Sequence, residues 1–530
     1  MKRYLLPGLL AGSAGLVHAG VTDNLVVSPR AMALGNAVTA DPGGIESIHF
    51  NPAGLASLTG YQHTDTLFIA SIRAHSKFKT APDIDIGGFK DDPINNTETG
   101  PVRQAMALPF LGIPKARLPA VVVPGLGFSW NNPGSRLTFA TGVYLSQAMS
   151  IDRTKDANDP GRFDGRLIQL QRLVYLSPAI GYKLTDTLKV GISVPIAYAN
   201  FAINTDFRAP NKLLGTVGAL QKGVCPNGSG NIIDTLTFGL CGGGPEGMVD
   251  PFKKAANIDF DMHSSFDPTV NLGVLWEPKP WFALGAVYQG GTSTTFVGTY
   301  NFHSEPMLRQ FVKGLNSSLL GPIVAGVAAL PQEIPEYQSG NLTAKIPFPF
   351  RVQVGMKLKV TDYAQLNVDA MYADWKKWEY LTFRFDQSIK LLEMARLFGH
   401  ANSTQATFPM GFRSVTNMAY GLQLFPTKSL TLRFGYEPRK SSIPGDKISL
   451  LTPLPDTKLK SVGVRYQFHN GAELNVTGSY MKGTYNVPAR TDCNLNCDGF
   501  FNLIYNPYAA TTVSGDLIVR YFGVSFTRPF

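Results

Sequence analysis

Arg351-Val352-Gln353-Val354-Gly355-Met356-Lys357-Leu358-Lys359-Val360 sets an apolar side chain at every second position, with polar or small residues between. A period of two is the mark of a strand, because successive side chains point to opposite faces. One face of this run is wholly apolar and the other carries cations, as expected of a strand with lipid on one side and a wet lumen on the other. Leu188, Val190, Ile192, Val194 and Ile196 repeat the pattern, as do Leu430, Leu432, Phe434 and Tyr436, and Val462, Val464, Tyr466 and Phe468. Between such runs lie short turn sequences: 131–135 (Asn-Asn-Pro-Gly-Ser), 184–187, 277–280, 360–363, 426–429 and 469–471. Longer connections fall near 79–120, 152–167, 205–267, 304–346, 386–414, 441–456 and 486–515, of which 205–267 and 304–346 are the largest. Short turns at one end and long loops at the other are the asymmetry of outer-membrane barrels, and this number of connections joins about fourteen strands. The expected fold is therefore all-β: a transmembrane antiparallel barrel over residues 61–530, closed by the aromatic terminus Val524-Ser525-Phe526-Thr527-Arg528-Pro529-Phe530.

Composition agrees with that reading. Hydrophobic residues make up 44% of 530 and mean hydropathy is −0.01, values that alternating strands average to. A helical transporter needs runs of about 20 apolar residues, which the sequence lacks after its amino terminus. A soluble β-sandwich does not explain so many strands in meander order behind an export signal. That signal is read in residues 1–19: Lys2 and Arg3, an apolar stretch from Leu5 to Val17, then the small-residue site Val17-His18-Ala19. The formal charge of +10 is scattered along strands rather than clustered, which disfavours nucleic acid. Outer-membrane lipids, lipopolysaccharide or anionic solutes are the expected charged partners, and the barrel is expected to be a monomer. Cys225, Cys241, Cys493 and Cys497 form two sequence-local pairs in loops, which in an exported protein suggests two disulfides. Cys-x-x-x-Cys without a His at ligand spacing is a poor zinc motif, so no metal or other cofactor is expected.

Residues 20–60 break the alternation. Ala31-Met32-Ala33-Leu34-Gly35-Asn36-Ala37 is small and helix-compatible, and Asn51-Pro52-Ala53-Gly54-Leu55 precedes the first strand. On these stretches, their position and the strand count, the sequence resembles the FadL family of outer-membrane long-chain fatty acid and hydrocarbon transporters. The resemblance implies a helical, irregular hatch plugging the lumen, with Gly35, Asn51, Pro52, Ala53 and Gly54 in its gating elements. It also implies capture of a hydrophobic ligand among outer loops and release through a gap in the wall near the third strand. Val21, where family members often carry an aromatic residue, and Arg528, which interrupts the terminal alternation, depart from the pattern.

Proline removes a ladder donor, and a closed barrel has no edge to absorb that loss. Pro124-Gly125 in the second strand, with Gly142 in its neighbour, is the expected wall opening; Pro178 and Pro195 are rivals. In the loops, Leu308, Phe311, Val312, Leu315 and Leu319 share one helical face, either a lid against other loops or a lipid-receptive surface. Arg351, Lys357 and Arg465 should point into the lumen, to orient a ligand carboxylate or to pair with hatch carboxylates such as Asp41 and Glu46. No Gly-x-Ser-x-Gly elbow occurs, and Asp261-x-His263-Ser264 is the nearest approach to a hydrolytic triad, so no enzyme is expected. The expected function is passive transport of long-chain fatty acids or similar hydrophobic molecules at the bacterial outer membrane. The alternatives are a channel for polar or anionic solutes, a transporter of alkanes, aromatic hydrocarbons or lipid signals, and a surface adhesion protein.

Overall fold

The computed structural model describes residues 24–225, 239–317, 323, 326, 331–394, 402–499 and 506–530. The export signal expected over residues 1–19, and Leu319, lie outside the described residues. The alternating runs form a closed antiparallel barrel of 14 strands. In chain order these are β1 Gly60–Thr80, β2 Val121–Asn131, β3 Leu137–Asp152 and β4 Leu167–Leu176 continued by Ala179–Lys183. Next come β5 Leu188–Ser193 with Ile196–Phe207, β6 Ala256–Pro268 with Asn271–Lys279, and β7 Phe282–Gln289 with Thr292–Ser304. β8 is Tyr337–Phe348 with Arg351–Thr361, β9 Ala364–Ala373 with Tyr380–Phe385, and β10 Gln405–Pro409 with Val415–Leu424. β11 Leu430–Arg439, β12 Thr457–Gln467, β13 Glu473–Val487 and β14 Thr511–Pro529 complete the wall. Closure is made by β14 against β1, in register from Gln62 opposite Pro529 to Thr80 opposite Thr511.

Burial follows the alternation, with the apolar side out. Arg351 and Gln353 are 7% and 4% exposed, whereas Val354 is 50% exposed. That inverts the rule for soluble proteins and is the arrangement lipid requires. Trp276, Trp281 and Tyr363 stand exposed at the short-turn end, where an interfacial aromatic girdle belongs. Strands β4 to β10 are each interrupted once. Pro178 and Pro195 cause two of these breaks because proline cannot donate to the ladder. Across them Val194 N donates to Pro178 O and Thr269 N to Pro195 O, both at 2.9 Å, so these prolines disturb the ladder without opening it.

The amino-terminal segment lies inside the barrel. Its helix Pro29–Ala33 packs on β11–β13, while its 3-10 helix Pro52–Ser57 packs on β4–β6, and only the lumen reaches both walls at once. Ser28 caps the first helix, its Oγ accepting from Ala31 N at 3.2 Å, and Pro29 follows at the first helical position, where its missing N–H costs nothing. Gly35 and Asn36, with φ of 61° and 67°, then turn the chain back.

At the opposite end the loops pack over the barrel around a bidentate, fully buried ion pair. Arg208 Nη1 and Nη2 donate to both Asp92 carboxylate oxygens at 2.9 and 3.0 Å, Nε donates to Pro507 O at 2.7 Å, and both side chains are 0% exposed. The guanidinium also stacks on Phe163, 4.5 Å from the ring centre. Disulfides join Cys225 to Cys241 and Cys493 to Cys497 within these loops. Removing one partner of a buried pair leaves an uncompensated charge, so Asp92→Ala should destabilise the folded protein by about 3–5 kcal/mol. Replacing both partners with apolar residues of similar volume should restore most of that loss; denaturant unfolding of the purified variants measures both.

Candidate functional site

The amino-terminal segment is seated against a band of glycines. Gly181 opposes Gly191, Gly191 opposes Gly273, Gly285 opposes Gly355 and Gly421 opposes Gly435 on neighbouring strands. A Cβ on Gly191 would strike Pro52, one on Gly273 would strike Asn51, one on Gly285 would strike Thr39, and one on Gly435 would strike Gly35. The wall has no side chains at these points because backbone of the inner segment occupies the space. Asn51, fully buried, locks the fit: Nδ2 donates to Thr39 O at 2.8 Å and to Val274 O of the wall at 3.0 Å, while Oδ1 accepts from Ala53 N at 3.1 Å. Asn36 Nδ2 donates to Glu437 at 2.9 Å, and Thr39 N donates to Asp369 at 2.8 Å. Sequence reading picked out Gly35 and Asn51–Gly54 but missed the wall glycines. Their signal was present: glycine recurs at inward positions on strand after strand.

The wall is thinly paired between β2 and β3. Their ladder runs only from Leu126 opposite Val143 to Trp130 opposite Phe139. Pro124 and Gly125 pair with β1, opposite Leu67 and Thr66, but not with β3. Beyond this rung β3 pairs with β4 and, at Asp152, bridges to Arg103. Behind the interval is a cavity of about 40 Å³, lined by Val26, Val27, Ile45, Ile48, Val123 and Tyr144 beside Gly125, Gly127 and Gly142. On the membrane side is an apolar groove of about 780 Å³, lined by Phe128, Trp130, Phe139, Leu176, Ile180 and Ile192. Gly127 and Gly142 face each other between the two, so no side chain thickens the wall there. An equally short ladder joins β10 to β11, Tyr420–Leu424 against Leu432–Tyr436, but polar side chains bridge the space beyond it. There Asn36 and Arg439 bond Glu437, and Asn417 accepts from Lys440 N at 3.1 Å. Above the β2–β3 rung the lining is mainly apolar, with Glu46, His49, Thr64 and Thr66 among it.

A hairpin, Gln104–Leu108 with Ile113–Leu118, lies against the outward face of β3–β6 above this interval. Ala105 N donates to Ser150 Oγ at 2.5 Å, Gln171 Nε2 to Ala107 O at 3.0 Å, and Lys115 pairs with Asp259 at 3.1 Å. The hairpin is not legible in the sequence, because it lies within what reads as one long loop.

The inward cations choose other partners than expected. Lys357 bonds Glu277 at 2.9 Å and Arg465 bonds Glu473 at 2.6 Å, both carboxylates of the wall. Asp41 is instead taken by Arg30 at 2.6 Å, and Glu46 by Ser28 at 3.1 Å, within the inner segment. Groups on nearby strands or the same short segment meet at little entropic cost, which decides the pairing. Arg351 does reach the inner segment, donating to Asn24 Oδ1 at 3.0 Å. In the loops, Leu308, Phe311 and Leu315 turn inward to pack with Leu214, Val217 and Val224 of the helix Lys212–Val224, so this face forms a lid. His263 and Ser264 are successive residues of β6 and point to opposite faces, which rules out a triad.

The family described as outer membrane protein transport protein (OMPP1/FadL/TodX) matches residues 14–530. The chain belongs to it. Members of the OMPP1/FadL/TodX family are transport channels of the bacterial outer membrane and not enzymes. A long-chain fatty acid transport protein of Escherichia coli is 24% identical over 215 residues, a match spanning 40% of this chain and 42% of that protein. A FadL homologue of Pseudomonas aeruginosa shares the fold with a TM-score of 0.64 and 16% identity, over 97% of this chain and 100% of the other. The toluene transporter TbuX of Ralstonia pickettii aligns with a TM-score of 0.55 and 14% identity, over 97% and 99%. The P. putida toluene transporter TodX aligns with 0.57 and 13%, over the same shares.

If the glycine band and Asn51 hold the inner segment closed, Gly273→Val and Asn51→Ala should each raise the ion conductance of the barrel in planar bilayers. The Asn51 change leaves buried carbonyls unpartnered and should also cost about 1–3 kcal/mol in thermal or denaturant unfolding.

Proposed function

We propose that this protein passively transports long-chain fatty acids or similar hydrophobic molecules, collected by the outer loops, gated by the amino-terminal hatch and released through the wall between β2 and β3. The observation that carries the reading is the mainly apolar cavity between hatch and wall, placed where the β2–β3 ladder stops and backed by an apolar groove on the lipid side. A hydrophobic cargo gains about 0.8 kcal/mol for each methylene withdrawn from water, against ~1 kcal/mol or less for a solvated ion pair. Affinity therefore resides in the tail, and a route lined by Val26, Val123 and Ile45 suits it better than one lined by charge. Aromatic hydrocarbons such as toluene, the cargo of the similar toluene transporters, would use the same surfaces. Downstream consumption supplies the drive.

A second reading rests on a different observation. A polar cavity of about 390 Å³ lies between the hatch and β9–β14, lined by Arg30, Asp41, Gln365, Arg433, Arg465 and Glu473 among others, and would suit a polar or anionic solute. Uptake of labelled oleate and of toluene by cells lacking their own transporter separates the two. Gly125→Phe, which fills the apolar cavity, should lower hydrophobic uptake at least tenfold at equal surface level. Wild-type barrel that takes up neither compound but conducts anions would support the polar route.

A further inference from the structure

The outer surface of β12–β14 and β1 carries a basic patch that neither the hatch nor the transport route uses. Lys458 lies directly opposite Lys482, Lys482 opposite Ile518, and Ile518 opposite Arg73, so three cations share one row across four strands. In the next row toward the short-turn end, Lys460 opposes Tyr480 and Tyr480 opposes Arg520. All five cations are exposed on the outward face, and none has a carboxylate within ion-pair distance among the described residues. Like charges directly opposite each other destabilise a sheet unless a counter-charge is supplied. Arg520 also stacks on Tyr480, 6.0 Å from the ring centre, and the stems of these side chains leave outward Ile518 only 8% exposed.

The height of the patch identifies what would supply that charge. Below it the outward residues are lipid-facing: Phe434, Val462, Val464, Phe522 and Ile69, ending at Phe468 and Phe530. The span from Phe468 to Lys458 is about 33 Å of strand at ~3.3 Å per residue. A tilt of ~40° reduces it to about 25 Å along the membrane normal, the height of the apolar band of such barrels. The cations therefore stand at the level of the headgroups on the long-loop side, which is the outer leaflet. Beside them is an open hollow of about 490 Å³, lined by Arg73, His75, Lys77, Lys482, Thr484 and Asp516, among others. The acidic groups near it are already engaged. Asp516 faces His75 at 3.5 Å, and Glu98 faces His75 at 3.3 Å and Lys77 at 3.5 Å.

We infer that this surface binds the phosphorylated glycolipid of the outer leaflet, lipopolysaccharide, with its phosphates on Lys458, Lys482, Arg73, Lys460 and Arg520 and its acyl chains along the apolar face below. The row spans ~14 Å at ~4.8 Å between strands, wide enough for more than one phosphate. Purified protein is titrated with bisphosphorylated lipid A, with its dephosphorylated form and with phosphatidylglycerol, and bound lipid is counted by native mass spectrometry. Lipid A should bind at least tenfold more tightly than either of the others, and K458Q/K482Q/R520Q should lose that preference while keeping its heat-modifiable migration on gels. Lys458→Arg with Lys482→Arg should retain it. Equal binding of the dephosphorylated lipid or of phosphatidylglycerol, or an unchanged affinity in the Gln variants, would overturn the inference. Should the triple variant misfold, Lys482→Gln alone should still weaken lipid A binding severalfold.

Discussion

Every peptide group at membrane depth must find its hydrogen bond inside the protein, because hydrocarbon offers none. The pairing of β14 with β1 along nearly their whole length meets this demand by removing the sheet's edges. Closure in turn creates an interior, and polar side chains that cannot face lipid are gathered there with the amino-terminal segment. The exposed Val354 and buried Arg351 of one strand record the outcome.

The same constraint gives the departures from regularity their meaning. Between β2 and β3 the ladder stops at Leu126, yet the unpaired edges are not left to lipid: the inner segment lies behind them and the hairpin at 104–118 covers the neighbouring outward face. Between β10 and β11 the same shortage of rungs is made good by Asn36, Glu437 and Arg439. One interval is thus closed by directional polar bonds and the other mainly by apolar contact. Apolar contact is non-directional and can be exchanged for contact with an apolar cargo, whereas a buried polar network cannot be opened without leaving its members unsatisfied. Under the proposed function, that difference would make the β2–β3 side the exit and the β10–β11 side the anchor of the inner segment.

Much of this was legible in the sequence because strand geometry is local. Alternation in Arg351–Val360 or Leu430–Tyr436 names the strand and its two faces, and turn residues such as Asn470-Gly471 fix where each hairpin folds back. Pro124 drew notice because proline lacks a ladder donor, and the β2–β3 ladder does stop short of it, although Pro124 and Gly125 still pair with β1. Pro178 and Pro195 carry the same mark, but carbonyl acceptors across the strands absorb their loss, and no sequence shows which acceptor lies opposite.

What the sequence by itself determined is the barrel, its even number of strands and the side of each strand that meets lipid, since all three follow from period and turn chemistry within a few residues. Only the tertiary structure decided that Gly191 and Gly273 form a seat for Asn51 and Pro52, that Lys357 answers Glu277 rather than Asp41, and that Lys458, Lys482 and Arg73 stand in one row. Each depends on register between segments far apart in the chain. Register is set by closure of the whole sheet, and no local run of residues contains it.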